Sequence, residues 1–588
     1  MGVGCSALTA NTTAEKNTAI GYHALADNTT GHRNTAVGTD ALLNNTTGAY
    51  NSAFGQDSMG LNTTGVNNTA LGRATLYTNS TGSNNIAIGY NALNANQTAN
   101  DNVAIGYRTL VANTTGTRNV GVGNSALDAN TTASYNTAVG TFALTASNAD
   151  NNTAIGYYAL ATDTTGSNNT AVGYDALGDN TDGGHNVAFG RSALSKNIDA
   201  DRNVAIGNYS LELNTAGNDN TAIGYNALEQ NTTAGLNVAV GNAALQYNTT
   251  GVENTAVGYN ALNDSTTSNY NTAIGAYALD ANTTGANNVA LGRSALGVNT
   301  TGGSNVAVGT FALDAANAGG NVAVGYNAMG ATTTGSSSVA FGYDALATVT
   351  TGTENTAIGY YALRLSETAS TKNTCIGYNA GGNSTTANNL VLVGRHAGVS
   401  ITTGGGNTFI GEEAGDTCTS GYANVVVGEY SDLDTEGRIG ATALGPAVTT
   451  YAANWSTMIK SDGGIYNTGN TSSFNTTSDS RIKKDIVDNT QGLEVINKIR
   501  VCNFKYRTAE EIDAPELQEY DLKNLAVSNT KLQIGAIAQE IEEVLPDTVT
   551  YSDWGVRDIN TDPLVWHLVN AVKELSAEVE QLKSQINN

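Results

Sequence analysis

Proline is nearly absent from this chain, with four residues in 588, and cysteine and methionine number four each. Charged residues make up only 13% and aromatics 6%, which excludes the composition of an ordinary globular domain. Positive charge is the scarcest property: 26 Lys and Arg face 51 Asp and Glu, a net charge of −25. That balance argues against nucleic acid as a partner and favours solubility of a long body. Cys5, Cys375, Cys418 and Cys502 lie far apart without metal-like spacing, so neither a disulfide framework nor a zinc site is indicated. His23, His32, His185, His396 and His567 do not cluster. No cofactor and no metal are expected. No apolar run is long enough to span a bilayer, and none has the build of a signal peptide.

What is present is glycine, 67 residues of it, and much of it is periodic. A glycine recurs from Gly4 to Gly428 at 26 positions; of the 25 spacings, 22 are 17 residues, two are 16 and one is 18. The plainest copy of the repeated phrase is Asn17-Thr-Ala-Ile-Gly21-Tyr-His-Ala-Leu25. A fixed period this short marks a solenoid, each coil one small unit stacked on the next. At about 4.8 Å per coil the repeats would form a rod roughly 120 Å long.

Within the phrase, the residue before the glycine is Val, Ile, Leu or Phe in all 26 coils, and the one before that is Ala or Gly in the first 22. Strand side chains alternate, so Thr18 and Ile20 share one face while Ala19 and Gly21 share the other. The branched row is expected to line a core. The small face is expected to lie against a neighbouring backbone and to be buried by self-association. After the glycine come a Tyr in eleven coils, an Ala-Leu anchor such as Ala24-Leu25, and a polar turn, often Asn-Thr-Thr-Gly as in Asn28 to Gly31. Asn stands four before the glycine in 23 of the 25 coils where that position can be read, with Ser338 and Leu390 the exceptions. These asparagines are expected to stack as an amide ladder that satisfies buried backbone, rather than to bind glycans or cations. The Asn-x-Thr sequons fall in the same turns, and nothing argues for the secretory route in which they would be glycosylated.

The phrase resembles the head repeats of trimeric autotransporter adhesins and related phage fibres, and the resemblance covers residues 1 to about 430. It implies a parallel β-roll with three chains side by side. The coil here is longer than the adhesins' unit by an added turn. Because Met1-Gly-Val-Gly4 is already mid-coil, a further fibre segment or a virion tail or baseplate protein is expected at that end. Towards the other end the small position becomes Cys375, Leu392, Phe409 and Val426, so the tight face is expected to open. The period is expected to end at about Glu429, and residues 433–477 read as a β neck with strand-like pieces such as Ala452 to Ile459.

At Ser478 charged residues crowd in and helical patterns replace the repeats. Val565, Leu568, Val572, Leu575, Val579, Leu582 and Ile586 follow 3,4 spacing, an a/d seam for a coiled coil over about 562–588. Three heptads are marginal alone, so the helix is expected to associate. The opening Ser478-Asp-Ser-Arg481-Ile-Lys483-Lys-Asp-Ile486 resembles the start of the intramolecular chaperone domain at the C-termini of endosialidases and other phage tail spikes and fibres. Gly535-Ala-Ile-Ala-Gln539-Glu540-Ile-Glu-Glu543-Val-Leu-Pro546 and Leu568-Val-Asn-Ala-Val-Lys573-Glu574-Leu575 extend the likeness over 478–588. The resemblance implies a domain that trimerises, helps the fibre fold, then cuts itself off. Carried onto this chain, the bond is Thr477–Ser478, the nucleophile Ser478 and the base Lys483, with Asp479 and Arg481 orienting the loop. Ile482 stands where Leu is usual. A serine hydroxyl needs a base, and a lysine serves once desolvation lowers its pKa.

The fold expected is therefore mainly β: a trimeric β-solenoid shaft over 1–432, the neck, and a small α+β chaperone domain over 478–588 ending in a coiled coil. The function expected is a phage tail fibre, a homotrimer that binds a host-surface glycan or protein receptor. It would be assembled in the host cytoplasm and carried on the virion, with a single-turnover Ser-Lys self-cleavage, no external substrate and no membrane insertion. The alternatives are a trimeric adhesin at the cell surface with a non-cleaving chaperone foot, and a glycan-degrading tail spike. The largest irregularity in the repeats is one residue, too small to insert a hydrolase site.

Overall fold

The computed structural model describes residues 1–365, 370–450, 457–459, 465–467, 487–507, 511, 532–551 and 557–587. It divides into two units, Met1–Asn389 and Leu390–Asn588.

Among the described residues of the first unit, 23 short strands from Gly2–Val3 to Thr374–Ile376 stack in parallel, each pairing with the strand one coil away. Ala19 sits opposite Ala36 and Ala36 opposite Ala53, so identical phrases face each other. The irregular coils keep this register: Ala138 meets Ala154, Ala307 meets Ala323 and Ala357 meets Cys375. The deletions fall in the turns, and the two shortened coils absorb them alike. In ordinary coils the N–H groups of Thr29, Thr30 and Gly31 point at the carbonyl of Thr46. Where the carbonyl is displaced, the side-chain oxygen of Asn148 accepts from Thr131 and Thr132 instead, and that of Asn317 from Thr300 and Thr301.

The faces of the strand are the reverse of the expectation. Ala19 is fully buried within its own coil and Ile20 is 38% exposed; the same holds at Ala205 and Ile206 and at Ala222 and Ile223. The interior of a 17-residue coil is narrow. It admits the alanine, the Ala24-Leu25 pair and two asparagines, and the branched row is turned outward. The glycine column behaves as expected of a closely approached backbone: Gly21 has φ +138° and a Cβ there would lie 2.4 Å from the carbonyl oxygen of Gly38. Leu25 reaches the interior from a left-handed backbone with φ 51°, a conformation that costs an L-residue roughly 1–2 kcal/mol and is held by the surrounding ladder.

The asparagine rows divide the work. The row at Asn17 and Asn34 is held mainly through backbone: the side-chain oxygen of Asn17 accepts the backbone N–H of Asn34, and its Nδ2 donates to the carbonyl of Gly31, while amide-to-amide bonds join some of its members, as Asn68 to Asn51 and Asn424 to Asn407. That satisfies buried backbone, as expected, by a different bond. Amide-to-amide stacking is more regular and shorter among the turn asparagines, with Asn45 donating to Asn28, Asn62 to Asn45 and Asn79 to Asn62 at 2.7–2.8 Å.

In the second unit, Val391–Val393, Thr408–Ile410, Val425–Val427 and Thr442–Leu444 pair in parallel, so the coils run one phrase beyond Glu429. Thr457–Ile459 pairs in parallel with Thr442–Leu444 and antiparallel with Ile465–Asn467. The small face does not open. Leu392 and Phe409 are fully buried, and the position of the usual interior leucine is Gly398 or Gly415, whose missing Cβ would lie 2.9 Å from Leu392 and 2.4 Å from the Phe409 ring. Volume has moved from one side of the interior to the other.

Among the described residues the rest of this unit carries three α-helices: α1 (Leu493–Lys498), α2 (Ala538–Val544) and α3 (Thr561–Ile586). Two antiparallel pairs accompany them, Cys502–Phe504 with Gln533–Gly535 and Val549–Tyr551 with Arg557–Ile559. Ile541, Leu545 and Val549 form the core, against which Val495, Ile499, Ile559 and Leu564 pack.

Candidate functional site

Thr477, Ser478, Asp479, Arg481 and Lys483 lie outside the described residues. The structure describes the chain again from Val487, nine residues after Ser478, and its first bond to the C-terminal helix is at Asn489, eleven residues after Ser478. This segment is strapped to α3. Asn570 Nδ2 donates to the carbonyl of Asn489 at 2.7 Å, and His567 Nδ1 to the carbonyl of Gln491 at 2.9 Å. Glu574 accepts the N–H of Leu493 at 2.7 Å. Leu493 is the first residue of α1, and the helix has no side-chain cap of its own at Gly492. The Glu574 carboxylate therefore supplies the cap, where a negative charge also meets the positive end of the helix dipole. Gly492 makes the approach possible, since a Cβ there would sit 2.5 Å from Glu574 Oε1 and 2.8 Å from the Ala571 nitrogen.

The strap and the seam occupy different sides of α3. His567, Asn570 and Glu574 recur at helical spacing and face the strapped segment, and Ala571 between them is buried. Val565, Leu568, Val572 and Leu575 remain half or more exposed. A helix with one satisfied face and one bare 3,4 row is built to meet further helices.

Two charged pairs brace α2. Arg500 grips Glu540 with two nitrogens at 3.0 and 2.6 Å. Glu542 accepts from the Tyr551 hydroxyl and from Arg557 Nε, and those bonds, Tyr551 first, hold its carboxyl below the usual range. Bidentate pairing fixes orientation as well as charge. Glu540 thus belongs to the segment Gln539-Glu540 that the sequence singled out. His567, Asn570 and Glu574 were not singled out as a set. Their signal was a polar 3,4 row on the side of the helix away from the apolar one.

The cysteines are unpaired, with Cys375 and Cys418 buried and Cys5 exposed; burial raises the Cys418 thiol to about 11. Among the described residues no helix is long and apolar enough to cross a membrane.

Residues 478–550 match the family model described as the chaperone of endosialidase. The match opens on Ser478 and takes in α1 and α2. No curated protein matches the chain. With the β-solenoid of 17-residue coils, the match bears out the likeness to endosialidase-type tail fibres and spikes that carry a C-terminal chaperone.

Proposed function

We propose that the chain is a trimeric phage tail fibre, a virion component that contacts a receptor on the host surface, whose residues 478–588 align three chains and then cut themselves off. The observation that carries this reading is the family match opening on Ser478, the first residue after the proposed scissile bond. Trimerisation is implied by the chaperone family, and two features favour it: the bare seam of α3, and the outward row of Ile, Val, Leu and Phe along the solenoid. Monomers rarely expose apolar patches beyond a few hundred Å². The trimer in this reading packs through that outward row and not through the alanine face, which is already buried.

Cleavage proceeds by transfer within one chain. The neutral Lys483 amine takes the Ser478 hydroxyl proton as Oγ attacks the Thr477 carbonyl carbon. The tetrahedral intermediate collapses with loss of the C–N bond, and the Ser478 nitrogen leaves as an amine after receiving that proton. Water then hydrolyses the ester, leaving a carboxylate on Thr477 and a free hydroxyl on Ser478.

The test is the mass of the purified protein under denaturing conditions beside Ser478→Ala. Two fragments divided before Ser478 in the wild type, and one intact chain in the variant, are expected. An uncut wild type that remains trimeric would reduce the C-terminal part to a folding foot.

A further inference from the structure

We infer that Glu574, with Asn570 and His567, is a positioning device that couples the assembly helix to self-cleavage; this rests on the processing reading above. The seam of α3 is the part of the chain built to detect other copies, and the strap is the part built to hold the segment leading to Ser478. Both stand on one 26-residue helix. Three consecutive turns of α3 grip three alternate backbone positions at Asn489, Gln491 and Leu493. None of these bonds reads a side chain of the segment, so the strap fixes the path of the main chain and asks of its sequence only the glycine at Gly492. Once the helix is steadied by its partners, the segment has a rigid anchor eleven residues from the nucleophile. Attack of a serine on its own preceding carbonyl needs a constrained backbone, since ångström-scale misplacement of reacting groups costs orders of magnitude in rate. The carbonyl of Gln491 can only accept, so His567 holds its proton on Nδ1 to serve here.

The chemistry of the Glu574 contact separates positioning from charge. The contact is an acceptor for one N–H, and a glutamine oxygen accepts as well as a carboxylate does. Glu574→Gln is therefore expected to process at close to the wild-type rate, and Glu574→Ala about tenfold more slowly. Gly492→Ala, which puts a methyl group against Glu574, is expected to resemble Glu574→Ala, and Asn570→Ala to fall between.

The experiment follows full-length chain, pulse-labelled in cell-free synthesis, and measures the rate at which the C-terminal fragment appears from chains already trimeric by native separation. Slow processing in trimeric Glu574→Ala with recovery in Glu574→Gln supports the strap. Trimeric Glu574→Ala cutting at the wild-type rate overturns it, as does Glu574→Gln as slow as the alanine variant. Where Glu574→Ala fails to assemble, trimeric Asn570→Ala and Gly492→Ala decide by the same comparison. A wild type that never cuts removes the processing reading and the strap together, whereas failure of the strap alone leaves Ser478→Ala as the only uncut chain.

Discussion

At the scale of single residues, the solenoid shows how little room one coil has. Asp163 occupies the row where other coils place a stacking asparagine; its carboxylate accepts from Ser147 Oγ and Asn180 Nδ2, each at 2.9 Å. It has no N–H to pass along, and Asn130 Oδ1, two coils away, is buried without a partner. Burial raises the Asp163 carboxyl to about 7. A carboxyl raised in the folded state stabilises fully below its unfolded pKa near 4, and that contribution is lost as pH rises towards 7. Asp163→Asn is therefore expected to stabilise the protein at pH 8 by on the order of 1 kcal/mol and to change little at pH 4. Thermal unfolding at the two pH values checks this, and an equal effect at both would refute the assignment. A second case is the size exchange at Phe409 and Gly415. Phe409→Ala alone is expected to cost about 3–5 kcal/mol, and Gly415→Leu alone to clash with the ring 2.4 Å from its Cβ. The double variant rebuilds the Ala and Leu arrangement of the upstream coils, so it is expected to recover most of the loss in denaturant unfolding, a strong coupling between neighbours.

At the scale of elements, each strand of three residues is too short to hold itself and depends on the strands on either side. Its outward side chain contributes little to its own coil, and the stack turns those side chains into a continuous row. Ile206 lies opposite Ile223, 38% and 37% exposed. Replacing both with Asp is expected to leave the strand content by circular dichroism intact while light scattering reports loss of the trimer, since burying two unpaired carboxylates at an interface is strongly unfavourable. A trimer that survives would move the packing face elsewhere. Beside this row the tyrosines after the glycine stack over one another, with Tyr326 on Tyr343 and Tyr343 on Tyr360 at 5.0 Å and planes within 14°. The strand phrase and the coil boundaries were legible from periodicity alone. Which asparagine row stacks amide on amide the more regularly was not, because both rows recur with the same period and only the turn geometry distinguishes them.

At the scale of the whole molecule, repetition is a hazard. A slip by one coil would place Thr-Ala-Ile against Thr-Ala-Val with almost no change in contact, so pairing energy alone specifies the alignment of three chains poorly. In the proposed function, a C-terminal piece that brings three chains together at one end removes the remaining degeneracy. Its later removal would leave a shaft unable to realign once unfolded, so stability becomes a matter of rate.

The coil, its period, the glycine column, the C-terminal helix seam and the likeness of the segment that begins at Ser478 were all written in the amino-acid order. All of these depend on spacing along the chain, which local sterics and side-chain alternation translate directly into structure. The tertiary structure alone decided which strand face is inside. Alternation defines two faces but not their curvature, and the closed coil proved too narrow for Ile20 and its equivalents. It alone also decided that bulk at Phe409 is balanced by Gly415, and that Glu574 caps a helix 81 residues upstream. These are contacts between residues distant in the chain, set by shape and closure, which no periodicity encodes.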